Sequence, residues 1–112
     1  MSSFITSQPH ATIIVVAFSE RVLGGDEAVD LANLLRGISS DVSTVVFDLA
    51  QVDMMNSSGL GMLVRSLTSL KAANKLLRLA AVPDRVMMLL TMTHLTMVFE
   101  IHPTVEAAVA LQ

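Results

Sequence analysis

The 112-residue sequence contains no cysteine. That excludes a disulfide framework, a thiol nucleophile and a thiolate metal site. Long apolar runs are also missing. A membrane-spanning helix needs about 20 consecutive apolar residues, and the longest stretch here, residues 11–18, is interrupted by Thr12. No membrane insertion is expected, although the mean hydropathy of +0.65 and the hydrophobic content of 53% are high. The opening residues Met1 to Thr6 lack the basic flank and apolar stretch of a secretory signal, so the sequence reads as cytoplasmic. Positive charge is scarce. Seven Lys and Arg stand against ten Asp and Glu, a net charge of −3, whereas nucleic acid calls for a basic face. Protein partners are the better expectation.

Catalytic and cofactor signatures are equally sparse. Gly24-Gly25 is too short for a phosphate-cradling loop and lacks its Lys. There is no Gly-x-Ser-x-Gly nucleophile turn. His10, His94 and His102 have no ligand spacing, so neither a metal nor a cofactor is expected. Asp48 and Asp53 superficially match an acidic Mg²⁺-dependent phosphoacceptor site, but that chemistry needs a cluster of oxygen ligands. The first long strand ends in Ala17-Phe18-Ser19-Glu20 and not in paired acids. Asp48 is instead expected to bond nearby backbone, and Asp53 to be a solvated loop charge. The sequence makes no case for an enzyme.

What remains is an alternation of strands and helices, suited in length to a single domain over residues 1–112. Phe4-Ile5-Thr6 suits a short edge strand and Ser7-Gln8-Pro9-His10 a turn. The run Thr12 to Val16, apolar on both faces, suits the inside of a sheet. Gly24-Gly25-Asp26 opens a helix with Ala28, Leu31, Ala32, Leu35 and Ile38 on one face. Thr44 to Leu49 is the next strand. After the turn Asn56-Ser57-Ser58-Gly59-Leu60-Gly61, the residues Leu60, Leu63, Val64, Leu67 and Leu70 line one side of a second helix. Lys75 to Val82 reads as a strand, Pro83 as a first helical residue, Val86, Leu89 and Leu90 as a buried stripe, Met97 to Ile101 as a last strand and Val105 to Leu111 as a closing helix. Such alternation implies a mostly parallel sheet. The Asn56 turn then lies at a strand's carboxyl end, where open α/β sheets place their sites.

Asn56 is an N-cap residue type, which sets Ser57 in the first helical turn. Helix-start chemistry alone favours capping as the whole role of these serines. The surroundings of Ser57 would still accept a phosphate, because free N–H groups and the positive helix end favour an anion there. Of the eight methionines, Met54 and Met62 flank this turn, and only Met54 is expected to be exposed.

The motif Asn-Ser-Ser-Gly-Leu-Gly after Val45-Val46-Phe47-Asp48-Leu49, with Leu89-Leu90, Thr93, Leu95, Val98-Phe99, Ile101 and Glu106-Ala107-Ala108 downstream, resembles the STAS domains. Within them it is most similar to single-domain anti-sigma-factor antagonists, over roughly residues 11 to 110. The resemblance implies a four- to five-stranded, mostly parallel sheet with an N-terminal antiparallel edge strand and about four helices. It implies a protein that, unphosphorylated, binds an anti-sigma factor with Ser-kinase activity through Met54, Asn56, Ser57, Ser58, Gly59, Leu60, Gly61 and Met62. Phosphorylation of Ser57 would release that partner, and a phosphatase would reset the system. Three departures stand out. Asn56 occupies the usual Asp position, His94 the place of a helix-ending Gly and Glu20 that of the Gly after the first long strand. Asn56 and the weak N-terminal match motivate an alternative, a phosphorylation-independent STAS interaction module of a transport or signalling complex. Oligomeric state is left open.

Overall fold

A computed structural model describes residues 4–110. In chain order its elements are β1 (Phe4–His10), β2 (Ile13–Phe18), β3 (Arg21–Val22), α1 (Asp26–Arg36), β4 (Thr44–Asp48), β5 (Met54–Met55), α2 (Ser57–Ala72), β6 (Leu76–Ala80), α3 (Asp84–Met92), β7 (Glu100–His102) and α4 (Val105–Val109). The main sheet has the order β1-β2-β4-β6-β7, with β1 antiparallel to β2 and the other pairs parallel. β3 and β5 form a separate parallel pair.

Each new parallel strand joins the same side of its predecessor. With right-handed crossovers, every connecting helix must then land on one face. Accordingly, Leu31 and Leu35 of α1, Leu63 and Leu67 of α2 and Leu90 of α3 share a core with Phe18, Phe47 and Leu79 of the sheet. The rings of Phe4, Phe18 and Phe47 continue that core, with successive centroids 4.9 and 4.8 Å apart. On the opposite face Ile13, Val15, Val46 and Ala80 pack with Ala108, Val105 and Val109 of α4. β4 is therefore buried on both sides, as its run of apolar residues requires, and β2 and β6 likewise send side chains into both cores.

Five residues are too few to hold a helix by their own hydrogen bonds, and α4 is fastened at both ends. The Thr104 hydroxyl accepts the Ala107 N–H at 3.0 Å, and Arg78 Nη1 donates to the Ala108 carbonyl at 2.8 Å. Arg78 Nε lies 2.5 Å from Glu100 Oε2, which is also 2.7 Å from His102 Nε2. The His102 hydrogen bond first, and then the Arg78 charge, hold the Glu100 carboxyl below the ordinary range. A carboxylate with a lowered pKa contributes stability above its unfolded pKa and loses it as pH falls through the folded value. The melting-temperature gap between wild type and Glu100→Gln should thus shrink on acidification below about pH 4. The corresponding free-energy difference should be small, under about 1 kcal/mol for a pair this exposed; a melting-temperature gap unchanged from pH 7 to 3 would contradict the linkage.

Several expectations need correction. Residues 7–10 do not turn; β1 runs through them, with an irregular register between Ser7 and His10, and the chain reverses at residues 11–12. Pro9 is tolerated because an edge strand does not need every N–H. Pro83 precedes α3, whose first residue is Asp84. Met97 and Val98 belong to a turn, with the Val98 N–H on the Leu95 carbonyl, and the last strand starts at Glu100. Met54 is not alone in being exposed: Met88, Met92 and Met97 are exposed as well. Leu111 lies outside the described residues.

His94 takes the left-handed conformation, with φ 61°. The Leu95 N–H reaches the Leu90 carbonyl at 2.8 Å and the His94 N–H reaches that of Thr91 at 3.2 Å, the pair of bonds that ends a helix in a Schellman turn. A side chain there costs free energy that glycine does not. His94→Gly should stabilise the protein by about 1 kcal/mol in urea unfolding. Unchanged or lower stability would show that the imidazole has compensating contacts.

Candidate functional site

Asn56 has extended backbone (φ −106°, ψ −175°), and its Oδ1 accepts the Gly59 N–H at 2.8 Å. This is the N-cap expected from the residue type, and it starts α2 at Ser57. No acidic side chain stands in the first turn of α2, so the positive end of the helix is not neutralised from within. Asn56, Ser57 and Ser58 are all exposed. The two serines differ in their neighbours. Gly24 has φ +90°, and a Cβ built on it would lie 2.8 Å from the Ser58 Cβ. Ser58 is thus backed by that glycine loop.

Residues 20–24 act as a strap beneath the turn. The Glu20 carbonyl accepts the N–H groups of Asp53 at 2.7 Å and Met54 at 3.0 Å. Arg21 and Val22 then pair with Met54 and Met55. The Val22 carbonyl oxygen comes so near α2 that a Cβ on Gly59 would sit 2.0 Å from it, with the Met55 Cγ at 3.1 Å. Gly59 is required by this approach, whereas a Cβ on Gly61 would meet only the Arg65 guanidinium, at 3.2 Å.

The residues assigned to the site from sequence divide in two. Met54, Asn56, Ser57 and Ser58 are exposed and Gly61 is partly so, but Gly59, Leu60 and Met62 are buried. Met62, only 2% exposed, is not available to a partner. It and Ser66 turn toward Leu31 and Leu35 of α1, because α2 packs against α1 as well as the sheet; Val64 is correspondingly exposed. Asp48 Oδ1 accepts the Ala50 N–H at 3.0 Å, as expected of a strand-end acid. Asp53 is exposed, with Arg85 4.0 Å away. Among the described residues no group of three or more His, Cys, Asp or Glu is placed to hold a metal, and no helix is long and apolar enough to cross a membrane. Sequence reasoning missed the strap. Its only visible signals were Gly24 and Gly25, read as a break before a helix, and Gly59, read as a residue near a helix start that lets other backbone come close.

The cap makes a direct prediction. Asn56→Ala should lose about 1 kcal/mol, whereas Asn56→Asp should match or exceed wild type, since a carboxylate keeps the acceptor and suits the helix end. Urea unfolding of both checks this; equal losses would contradict it.

The sequence matches the STAS domain family over residues 6–108. The chain belongs to that family. Its fold is shared by solved structures of low identity. An anti-sigma factor antagonist from Mycobacterium paratuberculosis is 22% identical, with TM-score 0.76 over 94% of this chain and 88% of the other. The Bacillus cell fate determinant SpoIIAA in its phosphorylated form is 14% identical, with TM-score 0.71 over 93% and 95%. A sulfate transporter family protein from Wolinella succinogenes is 14% identical, with TM-score 0.80 over 91% and 85%.

Proposed function

We propose that this STAS protein is an anti-sigma-factor antagonist whose docking surface is centred on the start of α2. Unphosphorylated, it binds an anti-sigma factor with Ser-kinase activity through Met54, Asn56, Ser57, Ser58 and neighbouring backbone, and so releases a sigma factor. Phosphorylation of Ser57 ends the complex, and a phosphatase restores it. The observation that carries this reading is the exposed Ser57 at a capped helix start with no acid in its first turn. A phosphate there adds about −1.5 to −2 charges. The helix end accommodates them, but a partner must desolvate them on docking. The chain itself performs no catalytic step.

Asn56 favours a second reading, a STAS module that binds its partner without phosphorylation, because a kinase that orients the hydroxyl through a carboxylate would find an amide. Incubation with ATP and a kinase-type anti-sigma factor, followed by mass spectrometry of the peptide spanning Ser57, separates the two. Phosphate on Ser57 of the wild type, lost in Ser57→Ala, is expected. No phosphate on the wild type, with phosphate restored in Asn56→Asp, would favour the second reading.

A further inference from the structure

The strap beneath the Ser57 turn has another side. Side chains alternate along an extended segment, so Val22 enters the core while Arg21 and Leu23 flank a groove of about 710 Å³ at the carboxyl end of β2. Phe18 and Ala17 line it together with Ile5, an apolar side chain left 75% exposed. Glu20 and Glu27 supply two carboxylates and Arg21 one guanidinium. One oxygen of Glu27 takes the Leu23 N–H at 3.0 Å and so fixes the wall.

The volume lies in the range of about 300 to 1,000 Å³ typical of small-molecule sites. The charge balance disfavours an anion such as a phosphate, and the lining calls for an apolar body. We propose that this groove binds a small amphipathic amine, its apolar body against Ile5, Ala17 and Leu23 and its protonated nitrogen at the Glu20 and Glu27 carboxylates. Occupancy is passed to the Ser57 turn through the strap, because the Glu20 carbonyl holds the Asp53 and Met54 N–H groups and the Val22 carbonyl abuts Gly59. Binding stands independently of the proposed function; only its regulatory meaning rests on that reading.

The test titrates n-decylamine into the ¹⁵N-labelled chain, with n-decanoate and n-butylamine as probes of charge and of apolar body. Saturable amide shifts are expected at Ala17, Ser19, Leu23 and Glu27, accompanied by shifts at Met54, Met55 and Gly59 across the strap. Decanoate and butylamine should each bind at least tenfold more weakly. Ile5→Lys and Glu20→Gln, both at exposed positions, should weaken decylamine at least threefold. Decanoate binding as tightly, shifts centred elsewhere, no saturation, or indifference to both substitutions would overturn the site. Saturation in the groove with Met54, Met55 and Gly59 unmoved would overturn the coupling. Neither kinase nor phosphate enters the experiment, so its failure leaves the Ser57 reading intact, and the failure of that reading leaves the site intact.

Discussion

Gly59→Ala should destabilise the protein by about 2 kcal/mol or more, although alanine is the better helix former by about 1 kcal/mol. The added methyl would stand 2.0 Å from the Val22 carbonyl oxygen, a backbone atom that cannot rotate away. Either α2 shifts along its axis or β3 lifts from it, and both disturb the hydrogen bonds that hold Asp53 and Met54. Gly61→Ala is the control. Its methyl meets the far end of Arg65 at 3.2 Å, which swings aside, so the helix keeps its propensity gain of up to about 1 kcal/mol. Urea unfolding of the two variants should give opposite signs. Equal stability would mean that the strap does not press on α2.

Ser57→Asp should weaken binding to a kinase-type anti-sigma factor at least tenfold, a loss of about 1.4 kcal/mol, while leaving the fold in place. An anion at the first helical position interacts favourably with the helix end, so the unfolding free energy should stay within about 1 kcal/mol of wild type. A true phosphate, with more charge and more acceptor oxygens, should weaken binding further. Ser57→Ala should bind as wild type does. Calorimetric titration of the three forms reads the effect; wild-type affinity in Ser57→Asp would overturn the docking claim, and an unfolded Ser57→Asp would overturn the claim that the helix tolerates the charge.

Much of the architecture was legible because each strand carries its own apolar run and each helix its own stripe. The run Thr12 to Val16 announced a strand inside the sheet, and Asn56 announced a helix start, since both signals are local. What escaped was set by neighbours distant in sequence. Met62, which the resemblance put in the partner-binding set, is covered because α1 packs beside α2. Arg21 and Val22 gave no strand signal, because a two-residue strand exists only through its pairing with Met54 and Met55. Ser7 to His10 read as a turn from composition, yet the edge strand carries Pro9 with an irregular register between Ser7 and His10. In the site itself the cap, the exposed serines and a close approach at the glycines near the helix start were readable; that Val22 is what approaches Gly59, while Gly61 meets only a side chain, was not, because it depends on a neighbour distant in sequence.

The most direct test of the central claim is amide-shift mapping of the unphosphorylated chain during titration with a kinase-type anti-sigma factor. Perturbations should concentrate at Met54, Asn56, Ser57, Ser58 and Gly59 and spare Val105 to Val109 on the opposite face of the sheet. Perturbations centred on α4, with the amides around Ser57 unmoved, would contradict the account.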